Sequence, residues 1–172
     1  MMTVVALAAG GLAATAQAND ACLDFKWDVS KERALFAAKP AALTAGKALE
    51  RAPVVVPDRL YELRLAAQVQ VTFRVPPAAK VAGSDAYGGV AALKIAMPGS
   101  YRIAVDLPLW IDVVSNGTLV AAEDFQGQKG CSAPHKIVTF NLAGEQPFVL
   151  QLSNATNETV LLTVTPSPSR KL

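Results

Sequence analysis

Histidine is nearly missing from this chain. His135 is the only one, and the cysteines number two, Cys22 and Cys131. A tetrahedral zinc site takes four sulfur, imidazole or carboxylate ligands, and the usual non-haem iron site takes two histidines and a carboxylate. Cys131 and His135 have the spacing of half a zinc site, but the other half is absent. No metal and no cofactor is therefore expected. Charge is also scarce: 16 Lys and Arg stand against 14 Asp and Glu, a formal net charge of +2. No basic cluster exceeds two residues, the nearest being Arg170-Lys171. That excludes the electrostatic footprint of a nucleic-acid partner. Beyond the N-terminal run, no segment approaches the about 20 apolar residues of a spanning helix without a charge or a proline. There is no Gly-x-Ser-x-Gly nucleophile elbow and no phosphate-cradling glycine loop.

What is present begins with MMTVVALAAGGLAATAQAND. An apolar run from Thr3 to Ala14 is followed by Ala16-Gln17-Ala18, a small-x-small pattern before Asn19. This is the pattern of a secretory signal peptide over residues 1–18. The segment carries no Lys or Arg, a departure from the usual n-region, and a buried N-terminal helix is the alternative. An exported chain with an even cysteine count suggests one disulfide, Cys22–Cys131, with two free thiols as the other option.

The mature chain has a helical and linker portion at 19–57, a β-rich portion at 58–166 and a short tail at 167–172. Asp28 or Ser30 can cap a short helix that Pro40 stops, with Trp27 and Phe36 covering one side of a core. The Ala-rich stretch from Pro40 to Pro57 leaves room for at most one strand, Val54-Val55-Val56. After Pro57 the apolar period becomes two. RLYELRL sets Leu60, Glu62 and Arg64 against Tyr61, Leu63 and Leu65. AQVQVTFRV places Val69, Val71, Phe73 and Val75 on one face, which predicts a half-buried antiparallel strand. VAALKIAM, YRIAVDL, LWIDVV, TLVAAED, KIVTFNL, FVLQLS and TVLLTVT follow at roughly ten-residue spacing, with Asn116-Gly117 as the strongest hairpin signal. About eight strands so spaced predict an all-β antiparallel β-sandwich or jelly roll. LKIAMPGSYRIAVDL and VTFNLAGEQPFVLQLS also echo each other, as two equivalent hairpins in one sandwich would.

GSYRIAVDLPLWIDVV resembles the bacterial pre-peptidase C-terminal type of jelly-roll module. The Cys22-to-Phe36 stretch, the DAYGG loop, WIDVV, the Cys131-to-Lys136 corner and the terminal QLS…VTP hairpin are similar to those of a group of short exported proteobacterial proteins. Such proteins are sometimes labelled homogentisate dioxygenase, a label that a chain with one histidine cannot support through the usual ligands. The resemblance implies the fold and an exported, periplasmic or secreted, location. It transfers no functional residue.

Candidate ligand-binding residues come from the strands and loops themselves. Trp110 and Asp112 lie two apart on one strand and share a face. If Ile111 and Val113 are core, an outward indole sits beside a carboxylate, the pairing with which sandwich modules stack on and hydrogen-bond to sugars. Trp110 covering the core edge near Pro108 is the structural alternative. Asp85 and Tyr87 sit in a polar-aromatic loop that could hold a ligand, or calcium with Glu123 and Asp124, although the spacing matches no EF-hand. His135 is weighed as a base or ligand against a corner role, in which Ala133-Pro134 shapes the loop before a strand. The expected function is a monomeric, non-catalytic binding module for an envelope protein or glycan. The alternatives are a glycan-active hydrolase pairing Asp112 with Asp106 or Glu123, or a structural envelope component.

Overall fold

The structure is a computed structural model that describes residues 21–80, 83, 85–143 and 147–167. Residues 1–18, which the sequence pattern reads as a signal peptide, and the tail from 168 onward lie outside the described residues. The described chain forms β1 (Ala41–Thr44), β2 (Val54–Val55), β3 (Leu60–Arg64), β4 (Ala66–Ala67), β5 (Tyr87–Leu93) and β6 (Gly99–Val105). These are followed by β7 (Trp110–Ser115), β8 (Thr118–Val120), β9 (Ala122–Gly127), β10 (Lys136–Leu142), β11 (Phe148–Ala155) and β12 (Thr159–Pro166). One short helix, α1 (Ser30–Phe36), precedes them. The first sheet runs β1-β3-β12-β6-β10-β9 and the second β2-β5-β11-β7-β8, with β4 added beside β5. The fold is an all-β sandwich.

The period-two pattern builds the core directly. Tyr61 and Leu63 from β3, Ile103 and Val105 from β6, and Phe140 from β10 meet Leu93, Val113 and Leu150 of the opposing sheet, all buried in one cluster. Asn116 and Gly117 both take positive φ, 50° and 76°, closing the β7–β8 hairpin as an Asn-Gly turn does. The N–H of Ser30 bonds the Asp28 carboxylate, Oδ1, at 2.9 Å at the start of α1. Helix and preceding segment lie on the outer face of the first sheet. There Phe25, Val29, Ala104, Cys131 and Ile137 form a second buried cluster, with Trp27 and Phe36 packed against it. The Cys22–Cys131 disulfide fastens this cover.

The structure departs from the sequence reading in several places. The 40–57 stretch supplies two edge strands, not one at most: β1 pairs parallel with β3 and β2 parallel with β5, so the sandwich is not purely antiparallel. AQVQVTFRV is not a strand. Its start is β4 and a 3₁₀ turn at Gln68–Gln70, which leaves Val69 76% exposed. The remainder is an extended strap over the outer face of the second sheet, where Val71, Phe73 and Val75 pack on Val90, Val114 and Val149. The alternation is a true burial signal, but at Arg74 and Val75 the backbone partners come from a side chain. Gln151 Oε1 accepts the N–H groups of Arg74 at 2.7 Å and Val75 at 3.2 Å, and its Nε2 donates to the Val75 carbonyl at 3.1 Å. Arg102 alternates with Tyr101 and Ile103 on β6 and so leaves the main core, yet it is only 6% exposed because the N-terminal cover lies over it. Met97, at the same alternate positions as Ala91, Leu93 and Ile95, lies beyond the end of β5 and is exposed.

Candidate functional site

β7 starts two residues after Pro108, and its alternation sends Ile111 and Val113 into the core. Trp110 and Asp112 therefore share the other face, as the spacing predicts. The indole is 41% exposed. Its Nε1–H donates to Asp112 Oδ1 at 2.9 Å, which fixes the plane of the ring. The second carboxylate oxygen accepts the N–H of Ala78, at the end of the strap, at 3.1 Å. Asp112 is thus buried but hydrogen-bonded through both oxygens.

The sheets part at one flank, where β8 edges the second sheet and β9 the first. A cleft of about 290 Å³ opens there. Its walls include Trp110 and Asp112 from β7, Leu119 from β8, Phe125 from β9 and Lys136 from β10, with Ile111, Val138 and Phe140 deeper. Phe125 lies opposite Val138 in the β9–β10 ladder, so it has the parity of a core residue. At an open edge nothing covers it, and it remains 66% exposed. Lys136 has the same parity as Val138 and Phe140 at the start of β10. Its Nζ donates to the Leu109 carbonyl at 2.8 Å and lies 5.1 Å from the Trp110 ring centroid, within cation–π range. Burial draws the ammonium below the usual lysine range, and the nearby Asp112 charge opposes that shift.

The other candidates are placed elsewhere. Tyr87 begins β5 and borders a larger groove of about 790 Å³, together with Lys47, Arg64, Gln70 and Glu158. Four of its polar side chains are engaged in pairs: Arg64 Nε meets Glu158 at 2.8 Å and Lys47 Nζ meets Gln70 at 2.6 Å. Size favours that groove, but exposed aromatic surface and a fixed charge pair favour the smaller cleft. Asp85 is an exposed turn residue, and its neighbour Ser84 lies outside the described residues. Glu123 accepts the Ser100 hydroxyl at 2.8 Å and Asp124 pairs with Lys26. No group of three potential metal ligands occurs among the described residues. His135 closes the corner between the disulfide and β10: its Nδ1 lies 3.2 Å from the Cys131 carbonyl, and its own N–H donates to Val105. Asp106 accepts the N–H of Leu161 at 2.9 Å. Neither Asp106 nor Glu123 lines the cleft with Asp112.

Lys136 and Phe125 are the cleft residues that pattern reading passed over. The available signal was parity: a lysine and an aromatic occupy inward positions of strands that flank an exposed Trp. No protein-family model, curated protein or solved structure matches the chain. No helix among the described residues is long and apolar enough to cross a membrane.

Proposed function

We propose that this protein is an exported, non-catalytic binding module that takes an envelope glycan in the flank cleft beside Trp110. The observation that carries the reading is the half-exposed indole, its plane locked by Asp112, over an apolar floor with one cation and one anion at the wall. A rigid, partly exposed aromatic face offers stacking area at little ordering cost, and a few fixed polar groups supply orientation. The small N-terminal apolar run and the disulfide support export. A hydrolase would need two carboxyl groups facing one bond at about 5–10 Å, and Asp112 has no such partner in the cleft wall.

An envelope protein is the second reading. It is favoured by the exposed Leu119 and Phe125, which extend the apolar surface past what one sugar ring covers. A glycan array, run beside a pull-down from periplasmic extract, tests both. Wild-type protein is expected to retain a defined glycan set that Trp110→Ala loses. Retention of one protein and no glycan would move the assignment to the second reading, and retention unchanged by Trp110→Ala would refute the cleft.

A further inference from the structure

We infer that the occupant is an N-acetylated amino sugar, with its acetamido group between Lys136 and Asp112 and its ring against Trp110. This rests on the glycan reading above. The size of the cleft comes first. At about 290 Å³ it lies at the lower end of ligand pockets, whose usual range is about 300–1,000 Å³. One ring fits; a polymer would have to pass across the mouth.

The polar complement comes second. Lys136 has three N–H donors, and one is used by the Leu109 carbonyl. The Asp112 carboxylate has several acceptor sites; the Trp110 indole and the Ala78 amide use one on each oxygen. Donor and acceptor capacity of opposite charge therefore remains on two side chains that both contact the same indole. A carboxylate ligand would suit Lys136 but face Asp112. An ammonium ligand would suit Asp112 but face Lys136. A neutral group that accepts at one end and donates at the other satisfies both, and a secondary amide is such a group: its carbonyl accepts from Lys136 and its N–H donates to Asp112.

The apolar wall comes third. Leu119 and Phe125 stand exposed in the lining of the cleft, and a plain hydroxyl would leave them facing water. The methyl of an acetamido group covers them, while the ring's C–H face lies on Trp110. A sugar lacking the acetyl group leaves the spare Lys136 donors and Asp112 acceptor sites unused, and hydrogen bonds to charged groups are where a site of this type discriminates.

The experiment is a chemical-shift titration of the full oxidised chain, following the Trp110 indole N–H. The probes are the trimer of N-acetylglucosamine, the trimer of glucosamine, the trimer of glucose and N-acetylalanine methylamide. The acetylated sugar is expected to bind at least about tenfold more tightly than each of the others. Lys136→Met is expected to remove that preference while leaving the folded spectrum intact; the ligand series on wild-type protein does not depend on the variant. Equal binding of the three sugars would overturn the acetamido assignment and leave the glycan reading standing. A peptide amide that binds as well as the acetylated sugar would overturn it in favour of a protein segment. Absence of binding by every sugar would overturn both this inference and the reading beneath it.

Discussion

Gln151 shows how a single polar side chain can replace a strand. It is fully buried on the outer side of β11, and it bonds the strap at Arg74 and Val75 through both ends of its amide. Gln151→Leu would keep the volume and leave the strap's buried N–H and C=O groups without partners. The expected loss is about 1–3 kcal/mol, measured by urea unfolding, with faster amide exchange at Arg74 and Val75. Stability unchanged within error would mean that Val71, Phe73 and Val75, with the Thr72 N–H bond to Lys47 and the Ala78 N–H bond to Asp112, hold the strap without Gln151. Asp106 carries a prediction of opposite sign. Burial raises its carboxyl above the usual carboxylate range, against the hydrogen bond from Leu161 and the attraction of His135. The folded state therefore holds more protons than the unfolded state between the ordinary carboxylate pKa and the raised one. Stability falls as pH rises through that window, and the penalty is complete above it. Asp106→Asn keeps an acceptor for Leu161 and removes the charge. It is expected to be more stable than wild type near neutral pH and to lose that advantage below about pH 4, as denaturation midpoints across pH would show. A constant difference at all pH values would contradict the burial account.

Among the elements, the strands with clear alternation were legible because each buries one face against the opposing sheet: β3, β6, β7, β10, β11 and β12 all fall where the pattern puts them. β1 and β2 were not legible. They are short edge strands, and their pairing is decided by where β3 and β5 lie, not by their own Ala-rich and Val-rich sequences. The echo between two segments was real in placement but not in shape. β5 and β6 lie in different sheets, as do β10 and β11, while β6 pairs with β10 and β5 with β11. The echoing segments are thus two sheet-to-sheet arches joined side by side, not two hairpins. Of the cleft, Trp110 and Asp112 were legible from parity within one strand. Phe125 and Lys136 were not, because their importance depends on which edges meet. The contact of α1 with the first sheet was equally hidden. Glu32 is 1% exposed, and its Oε1 accepts the Thr165 hydroxyl at 2.5 Å and lies 3.6 Å from Arg102 Nη1. Arg102 also donates to the Asp28 carbonyl and lies over Trp27. Removing one member strands the other in a buried site, so Glu32→Ala is expected to cost about 3–5 kcal/mol. Glu32 Oε2 and Arg102 Nε have no hydrogen-bond partner, so replacing both residues by Met is expected to cost less than Glu32→Ala alone. Chemical denaturation of Glu32→Met, Arg102→Met and the double variant gives the coupling; additivity would show that the pair does not act as a unit.

At the scale of the molecule, the disulfide joins residues 109 apart in sequence and so ties the front of the described chain to the loop before β10. In the chain-entropy treatment a loop of this size is worth about 4–5 kcal/mol, and removal of a native bridge commonly costs about 2–5. The tie has a second physical consequence, because the segment it anchors guards the open edge of the first sheet. Lys26 donates its backbone N–H to Gln126 Oε1 at 2.9 Å and its ammonium to Asp124 at 2.5 Å. Gln126 Nε2 donates in return to the Asp24 carbonyl at 3.0 Å. The Lys26 ammonium also reaches the Phe125 carbonyl of β9 at 3.4 Å, so the segment screens part of the edge backbone, and an uncovered edge is a template for another chain. Reduction, or the Cys22→Ser/Cys131→Ser pair, removes the anchor but not the core, whose apolar contacts lie between the sheets. The reduced protein is therefore expected to remain folded with a lower unfolding midpoint, to be cut first within residues 21–28 by a broad protease, and to self-associate with rising concentration. Thiol titration with and without denaturant establishes the starting state, limited proteolysis locates the first cut, and light scattering follows association. A reduced protein that stays monomeric and shows the oxidised cleavage pattern would mean that α1, seated on Glu32 and Arg102, holds the cover without the bridge.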